Sequence, residues 1–263
     1  MKEAIGSKKS LEGKTIVVTR RKEQAEEVVT KLEELGAAVI LFPTIEIHEP
    51  ASWTDCDSAL QRIAEYAGII FTSANAVEYF FHRAKDLGLL PLIASREIYT
   101  IGEKTKQAVH RYGFSPEEIP EYSSAEQLGN AIVRTSVSGK KFLFAKGNLA
   151  RGEVVIVLSA HGAVVDEVIV YETKKPPLDD DAMAMIDTIK KSGDLVVFFS
   201  PSSIVNFLRD IPLGQLKTEN CAVIGETTAE AARENGFTVA VTALQSTTES
   251  LVRGIHQYYG SHS

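Results

Sequence analysis

Cysteine and histidine are too few and too scattered in this sequence to form a disulfide framework or a recognisable metal site. The two cysteines are Cys56 and Cys221, and neither belongs to a CxxC pair or has a histidine at metal-ligand spacing. The six histidines contain no HExxH pattern, and there is no arrangement that would activate a nucleophile. The sequence therefore predicts two packing cysteines and no bound metal.

Long hydrophobic runs are missing too. Runs such as Ala37–Phe42 and Leu195–Phe199 are far too short to cross a bilayer. The segment Met1–Gly13 is polar, and no apolar stretch follows it, so we expect neither a secretory signal nor an anchor, and a cytoplasmic protein. A net charge of −7 argues against non-specific binding of nucleic acid. An anionic ligand would therefore have to be held by donors concentrated at one place.

The sequence does contain an internal repeat. A shift of 126 residues places Gly36-Ala37 on Gly162-Ala163, and a later shift of 123 residues places Ile101–Glu103 on Ile224–Glu226. Several further pairs follow in the same order, and short loop insertions would produce the change of offset. With 263 residues, 44% of them apolar, the chain is long enough for two ordinary cores. We interpret the pattern as an internal duplication.

Within each copy, short apolar runs alternate with helical periodicity, which is typical of strand-helix-strand units and a mostly parallel sheet. The elements predicted in the first copy are strands at 15–19, 38–42, 69–71 and 98–101, and helices at 24–35, 74–87 and 104–112. We therefore predict an α/β fold with two similar doubly wound parallel-sheet domains, which arise from the duplication and are joined by a two-strand linker.

Two proline-terminated segments, 43–50 and 169–176, occupy equivalent places in the two copies. Both contain β-branched residues, so extended linkers fit them best. If the two pair, the chain crosses to a second domain and later returns. The prediction is a discontinuous first domain of residues 1–42 plus 177–263 and a second domain of residues 51–168. We expect the domains to face each other across a cleft.

Small hydroxyl residues follow the predicted strands. In parallel sheets, ligands bind beyond the carboxyl ends of the strands, where helix N-termini present free N–H groups and a positive dipole end. Serine and threonine also cap helices for stability alone, but four such edges in a duplicated chain favour binding. The candidate binding residues from these edges are Thr72, Ser73, Gly102, Thr105, Ser200, Ser202, Gly225, Thr227 and Thr228. Arg20 and Lys146 join them, because both copies place a cation after the first strand.

Six groups of residues, in this order and at this spacing, are similar to the motifs of a known family. They are Val18–Arg20, Ile70–Ser73 with Ala76-Val77, Ile101-Gly102 with Thr105, Val170–Thr173, Phe198–Ser202 and Ile224–Ala229. On these segments the chain resembles uroporphyrinogen-III synthase over nearly its whole length. The resemblance implies a cofactor-free enzyme of tetrapyrrole (haem, sirohaem, cobalamin) biosynthesis. Such an enzyme takes the linear tetrapyrrole hydroxymethylbilane, expels its hydroxyl as water, inverts the last pyrrole ring and closes the macrocycle. Its task would be to orient a reactive polycarboxylate.

The resemblance also singles out Tyr171 as the catalytic candidate. Loss of the hydroxyl needs a proton donor, and a phenol can supply one without a metal or a histidine. The alternative is a packing role, because a tyrosine in a β segment is more often a packing residue and the repeat-equivalent residue is the apolar Ile45. We expect no nucleic-acid or membrane partner, and a monomer.

Two other functions share the predicted architecture. A non-catalytic two-lobed small-molecule binding protein would need the same cleft, and turnover of hydroxymethylbilane separates it from the enzyme. A receiver-like signalling domain would need acidic residues at the strand ends to bind magnesium. The first strand instead ends in Thr19-Arg20-Arg21, which argues against that alternative.

Overall fold

The computed structural model describes residues 10–117 and 124–260. Within these residues the chain forms two compact units. The first unit contains the described residues up to Glu46 together with those from Lys174 onward, and the second contains Ile47–Thr173. The first unit is thus built from both ends of the chain, and the crossings lie at 46–47 and 173–174.

The first unit is a parallel five-stranded sheet with helices on both faces. Its strand order is β10-β9-β8-β1-β2. The strands are β1 (Thr15–Val18), β2 (Ala38–Leu41), β8 (Leu195–Phe198), β9 (Asn220–Val223) and β10 (Thr238–Thr242). The helices are α1 (Lys22–Glu34), α8 (Asp180–Ser192), α9 (Pro201–Asp210), α10 (Glu226–Glu234) and α11 (Thr248–Gly260).

The side chains of the central strand β1 alternate between the two faces of the sheet, and the core of this unit is therefore divided into two clusters. Ile16 and Val18 pack into a cluster with α1 and α11, whereas Val17 packs into a second cluster with α8, α9 and α10. Successive side chains of a strand point to opposite faces, so an unbroken apolar run becomes a strand that is buried on both sides. This is the doubly wound arrangement that the sequence predicts.

The second unit has the same plan. Its strand order is β3-β7-β6-β4-β5, and the pairs among β4, β5, β6 and β7 are parallel. The strands are β3 (Glu46–His48), β4 (Gly68–Phe71), β5 (Glu97–Thr100), β6 (Lys141–Gly147) and β7 (Val164–Lys174). The helices are α2 (Thr54–Gln61), α3 (Ala74–Asp86), α4 (Leu90–Ile93), α5 (Glu103–Arg111), α6 (Ala125–Ile132) and α7 (Glu153–Ala160). One face packs against α2, α3 and α5, and the other against α6 and α7.

The α/β class is confirmed, and the predicted strands and helices of the first copy end within two residues of the observed ones. The order β2-β1-β8-β9 in one sheet matches β7-β6-β4-β5 in the other, as a duplicated sequence would produce. The two segments that the sequence predicts to be extended linkers, 43–50 and 169–176, differ in secondary structure. Only Glu46–His48 of the first is a strand, and it lies beside β7; the second continues β7 as far as Lys174.

None of the helices in the described part of the chain is long and apolar enough to span a membrane.

An ion pair marks the amino ends of the strands in the first unit. The Asp194 carboxylate accepts a hydrogen bond from the Thr15 N–H at 2.8 Å and contacts the Lys217 ammonium at 2.7 Å. Burial alone would raise the pKa of Asp194, but the hydrogen bonds from Lys217 and Thr15 outweigh it and hold the pKa below its ordinary value. The carboxylate form therefore stabilises the folded state.

We predict that Asp194→Asn lowers the free energy of unfolding at pH 7 by about 1 kcal/mol, because a neutral acceptor replaces a charged one. The ordinary pKa of aspartate is about 3.9. Because the folded-state pKa is lower still, the difference between parent and variant should persist above pH 4 and vanish as the pH falls through the folded-state pKa. Urea unfolding at several pH values tests this, with Asp187→Asn on the exposed face of α8 as the control. A difference that is independent of pH would contradict it.

Candidate active site

In the second unit, the carboxyl end of β4 leads directly into a capped helix. Thr72 and Ser73 follow the strand, and Ser73 is the N-cap of α3, where its Oγ accepts a hydrogen bond from the Ala76 N–H at 3.1 Å. Serine is among the preferred N-cap residues because its side chain satisfies a free N–H of the first turn. The helix also aims its positive dipole end at this edge.

Tyr171 lies at the same edge of the second unit. It is near the end of β7, and its hydroxyl lies 3.2 Å from the Ser73 Oγ. Its ring stacks on Tyr79 of α3 with the centroids 6.0 Å apart. The structure therefore brings together two of the predicted site residues that are 98 positions apart in the sequence.

Two helices, one in each unit, begin with the same glycine-to-threonine arrangement. Gly102 precedes α5 and has φ +78°, a left-handed conformation that favours glycine, and the Thr105 N–H donates to its carbonyl at 3.1 Å. In the first unit, Gly225 precedes α10, and the Thr228 N–H donates to its carbonyl at 3.1 Å. The side chains of Thr105 and Thr228 are both buried, and their N–H groups bond to the glycine carbonyls, so a ligand would meet the residues that stand between each glycine and its threonine and not the threonines themselves. Thr227, by contrast, is exposed.

The start of α9 carries a network of serine hydroxyls. Ser200 is the N-cap, and its Oγ accepts from the Ser203 N–H at 3.3 Å, while the Ser203 Oγ accepts from the Ser200 N–H at 3.3 Å. The reciprocal bonds form a capping box, with Pro201 in the first turn. Ser202 is exposed, and its hydroxyl lies 3.1 Å from that of Ser200. The helix start therefore presents hydroxyls that the cap itself holds in place.

Arg20 follows β1 in the first unit and lies against an aromatic ring. Its guanidinium is 4.5 Å from the centroid of Phe199, which directly follows β8. Burial lowers the pKa of Arg20, and Glu27 acts in the opposite direction. A guanidinium stacked in this way keeps N–H groups at its edge for a carboxylate.

Lys146, the repeat-equivalent cation, is in a different environment. Its ammonium forms an ion pair with Glu167 of the neighbouring strand β7 and lies 5.7 Å from the Phe144 ring. A ligand carboxylate would have to compete with Glu167 for this ammonium. Arg20 and Lys146 occupy equivalent positions in the repeat, but their surroundings differ, and so does their availability to an anion.

The sequence reasoning missed three residues that shape these edges. Phe199 supports Arg20, Ser203 completes the capping box, and Glu167 pairs with Lys146. Ser203 could have been found, because serine three positions after an N-cap serine suggests reciprocal capping. The other two contacts depend on which strands become neighbours, and the local sequence carries no signal for that.

Within residues 10–117 and 124–260, no group of three or more histidine, cysteine or acidic side chains could hold a metal ion. Cys56 and Cys221 are both buried and free. Burial raises the pKa of each thiol to about 12, so both remain protonated at neutral pH.

Comparison with known proteins places the chain among tetrapyrrole enzymes. A sequence model of the family described as "Uroporphyrinogen-III synthase HemD" matches residues 26–253. A uroporphyrinogen-III synthase of Chlorobaculum parvum is 32% identical over 231 residues, which cover 87% of this chain and 92% of that protein. A uroporphyrinogen-III synthase of Synechococcus elongatus is 32% identical over 259 residues, covering 94% and 96%.

Solved structures support the same fold. A mutant uroporphyrinogen III synthase from Thermus thermophilus aligns over 94% of this chain and 99% of its own, with a TM-score of 0.66 at 15% identity. The enzyme from Helicobacter pylori aligns over 91% and 97%, with a TM-score of 0.60 at 19% identity. Because the family's sequence model spans most of the chain and both sequence relatives match along nearly their full length, the chain belongs to the uroporphyrinogen-III synthase family.

Proposed function

We propose that this chain is a hydro-lyase that converts hydroxymethylbilane to uroporphyrinogen III, with inversion of the last pyrrole ring and loss of one water. Membership of the family supports the reaction. In this proposal Tyr171 donates a proton to the departing hydroxyl. The substrate returns a proton when the ring closes, so the phenol is restored and one water leaves per turnover.

The observation that best supports the proposed role of the phenol is the hydrogen bond between the Tyr171 and Ser73 hydroxyls. The Ser73 Oγ already accepts from the Ala76 N–H, which leaves its own hydrogen free to point at the Tyr171 oxygen 3.2 Å away. In that arrangement the phenol hydrogen is available to an outside acceptor. The serine bond and the N-terminal end of α3 would both stabilise negative charge that develops on the phenol oxygen.

The substrate's carboxylates require donors, although the chain has a net charge of −7. We assign this task to the helix starts after Ser73, Gly102, Ser200 and Gly225, with Arg20 as the stacked cation. Helix N-termini bind anions through free N–H groups and the dipole, without needing an excess of basic residues. A single cleft shared by both domains, a monomeric state and a cytoplasmic location remain predictions from the sequence.

The test of the reaction is direct. With hydroxymethylbilane as substrate, we expect the purified protein to form uroporphyrinogen III, separable by chromatography from the type I isomer that forms without enzyme. Type I product alone, at the rate of the buffer control, would overturn the proposal. Binding of the bilane without turnover would instead support the non-catalytic binding protein.

We predict that Tyr171→Phe lowers kcat by about 10² to 10⁴, the usual contribution of general-acid catalysis. The substitution keeps the ring that stacks on Tyr79 and removes only the hydroxyl that contacts Ser73. The measurement is the initial rate of type III formation. Tyr99→Phe is the control, because its hydroxyl bonds to Glu97 at the amino end of β5. A folded Tyr171→Phe within a few-fold of the parent would make Tyr171 a packing residue.

Removal of one binding hydroxyl should have a graded effect. We predict that Ser202→Ala raises KM by roughly 10- to 100-fold and leaves kcat nearly unchanged, because a hydrogen bond to a charged group contributes about 1.5 to 3 kcal/mol. Ser192→Ala is a matched control, since that hydroxyl donates to the Thr188 carbonyl within α8, before β8 begins. Complete loss of activity in a folded Ser202→Ala would show that this hydroxyl takes part in the chemistry.

A further inference from the structure

Strand β7 changes its register against β6 just before Tyr171. Lys146 faces Ile169, but the next residue of β6, Gly147, faces Tyr171, so Val170 is an extra residue on β7, as in a β-bulge. In a regular strand, neighbouring side chains point to opposite faces. Here Val170 is buried in the cluster that includes α3, and Tyr171 packs against the same cluster. The shift therefore turns the phenol toward the helix that Ser73 caps.

Gly147 provides the space that the turned ring occupies. A Cβ at this position would lie 2.4 Å from the Tyr171 Cζ and 2.7 Å from its hydroxyl oxygen. Atoms that are not bonded to each other do not approach so closely, and Gly147 is itself buried at the end of β6. Any larger residue would push the ring, and with it the hydroxyl, away from its position 3.2 Å from the Ser73 Oγ.

Asn148 fixes the backbone that carries the tyrosine. Its N–H donates to the Tyr171 carbonyl at 3.2 Å. Its side-chain oxygen accepts from the Thr173 N–H at 2.9 Å, and its amide nitrogen donates to the Thr173 carbonyl at 3.3 Å. These bonds continue the pairing with β7 beyond the last residue of β6, as side chains can do where a ladder ends. Asn148 is exposed, so its bonds hold this segment and not a core.

We infer that Gly147 and Asn148 are positioning residues for the Tyr171 hydroxyl, an inference that rests on the proposed catalytic role of that tyrosine. Gly147 leaves room for the ring, and Asn148 bonds the backbone of β7 directly after the change in register, at Tyr171 and Thr173. Neither side chain needs to touch the substrate. Both residues should therefore act on turnover and leave substrate binding nearly unchanged.

The experiment is a double-mutant cycle in kcat. A misplacement of about 1 Å can slow a positioned reaction on the order of 10²-fold, so Gly147→Ala should lower kcat by roughly that factor and leave KM within a few-fold. In a Tyr171→Phe background the same change should cost little more, because the hydroxyl that it displaces is already gone. A glycine needed only for stability would lower kcat equally in both backgrounds.

Gly152→Ala is the matched control, because a Cβ at Gly152, shortly after β6, meets nothing within 4 Å. It should keep the parent kcat. Thermal unfolding shows which variants are folded. If Gly147→Ala does not fold, Asn148→Ala decides the question, since it removes the two bonds to Thr173 without adding an atom. Asn148→Ala should lower kcat on the order of tenfold in the parent protein. In the Tyr171→Phe background it should cause no further loss of kcat.

The outcomes separate this inference from the proposed function. A folded Gly147→Ala or Asn148→Ala with the parent kcat, or with a loss that is independent of Tyr171→Phe, would overturn the positioning role of that residue. The proposed function would stand in that case, provided that Tyr171→Phe itself is slow. If Tyr171→Phe keeps the parent kcat, the catalytic role of the phenol and the positioning inference both fail, while type III formation still tests the reaction itself.

Discussion

Parallel pairing of strands is the constraint on which the rest of each unit depends. In the first unit all the neighbouring strands are parallel, and so are β4, β5, β6 and β7 of the second. Parallel neighbours send all their carboxyl ends to one edge, and each crossover helix begins at that edge. The loops after β4, β5, β8 and β9 therefore present helix N-termini, whatever residues the loops contain.

The two edges of each sheet have different chemistry as a result. At the amino ends of the strands lie ion pairs between side chains of the same unit, such as Asp194 with Lys217 in the first and Asp166 with Lys141 in the second. At the carboxyl ends, serines, threonines and glycines precede the helices that begin there, and the Lys146–Glu167 ion pair is an exception in the second unit. The ion pairs stabilise the fold, and the hydroxyl edges are where the proposed binding of an anionic substrate would take place.

The candidate active site is regular except at Tyr171. The helix caps around it follow common rules of local structure, but the tyrosine depends on a change in register, on a glycine that leaves room for its ring and on an asparagine that extends the ladder. Register changes of this kind reorient one side chain without disturbing the sheet on either side. The change in register, the glycine and the asparagine together hold the ring against a helix N-cap. Its hydroxyl then has a defined position, which a proton donor requires.

The sequence by itself determined the class of fold, the bounds of the main strands and helices and the positions of the helix caps. These follow from periods of two and 3.6 residues and from cap residues such as Ser73 and Ser200, all of which act over a few neighbouring positions. Only the tertiary structure decided that Tyr171 meets Ser73, that Phe199 supports Arg20 and that Lys146 pairs with Glu167. Those contacts depend on strand order and register, which arise when distant segments pack together, and no local pattern of side chains encodes them.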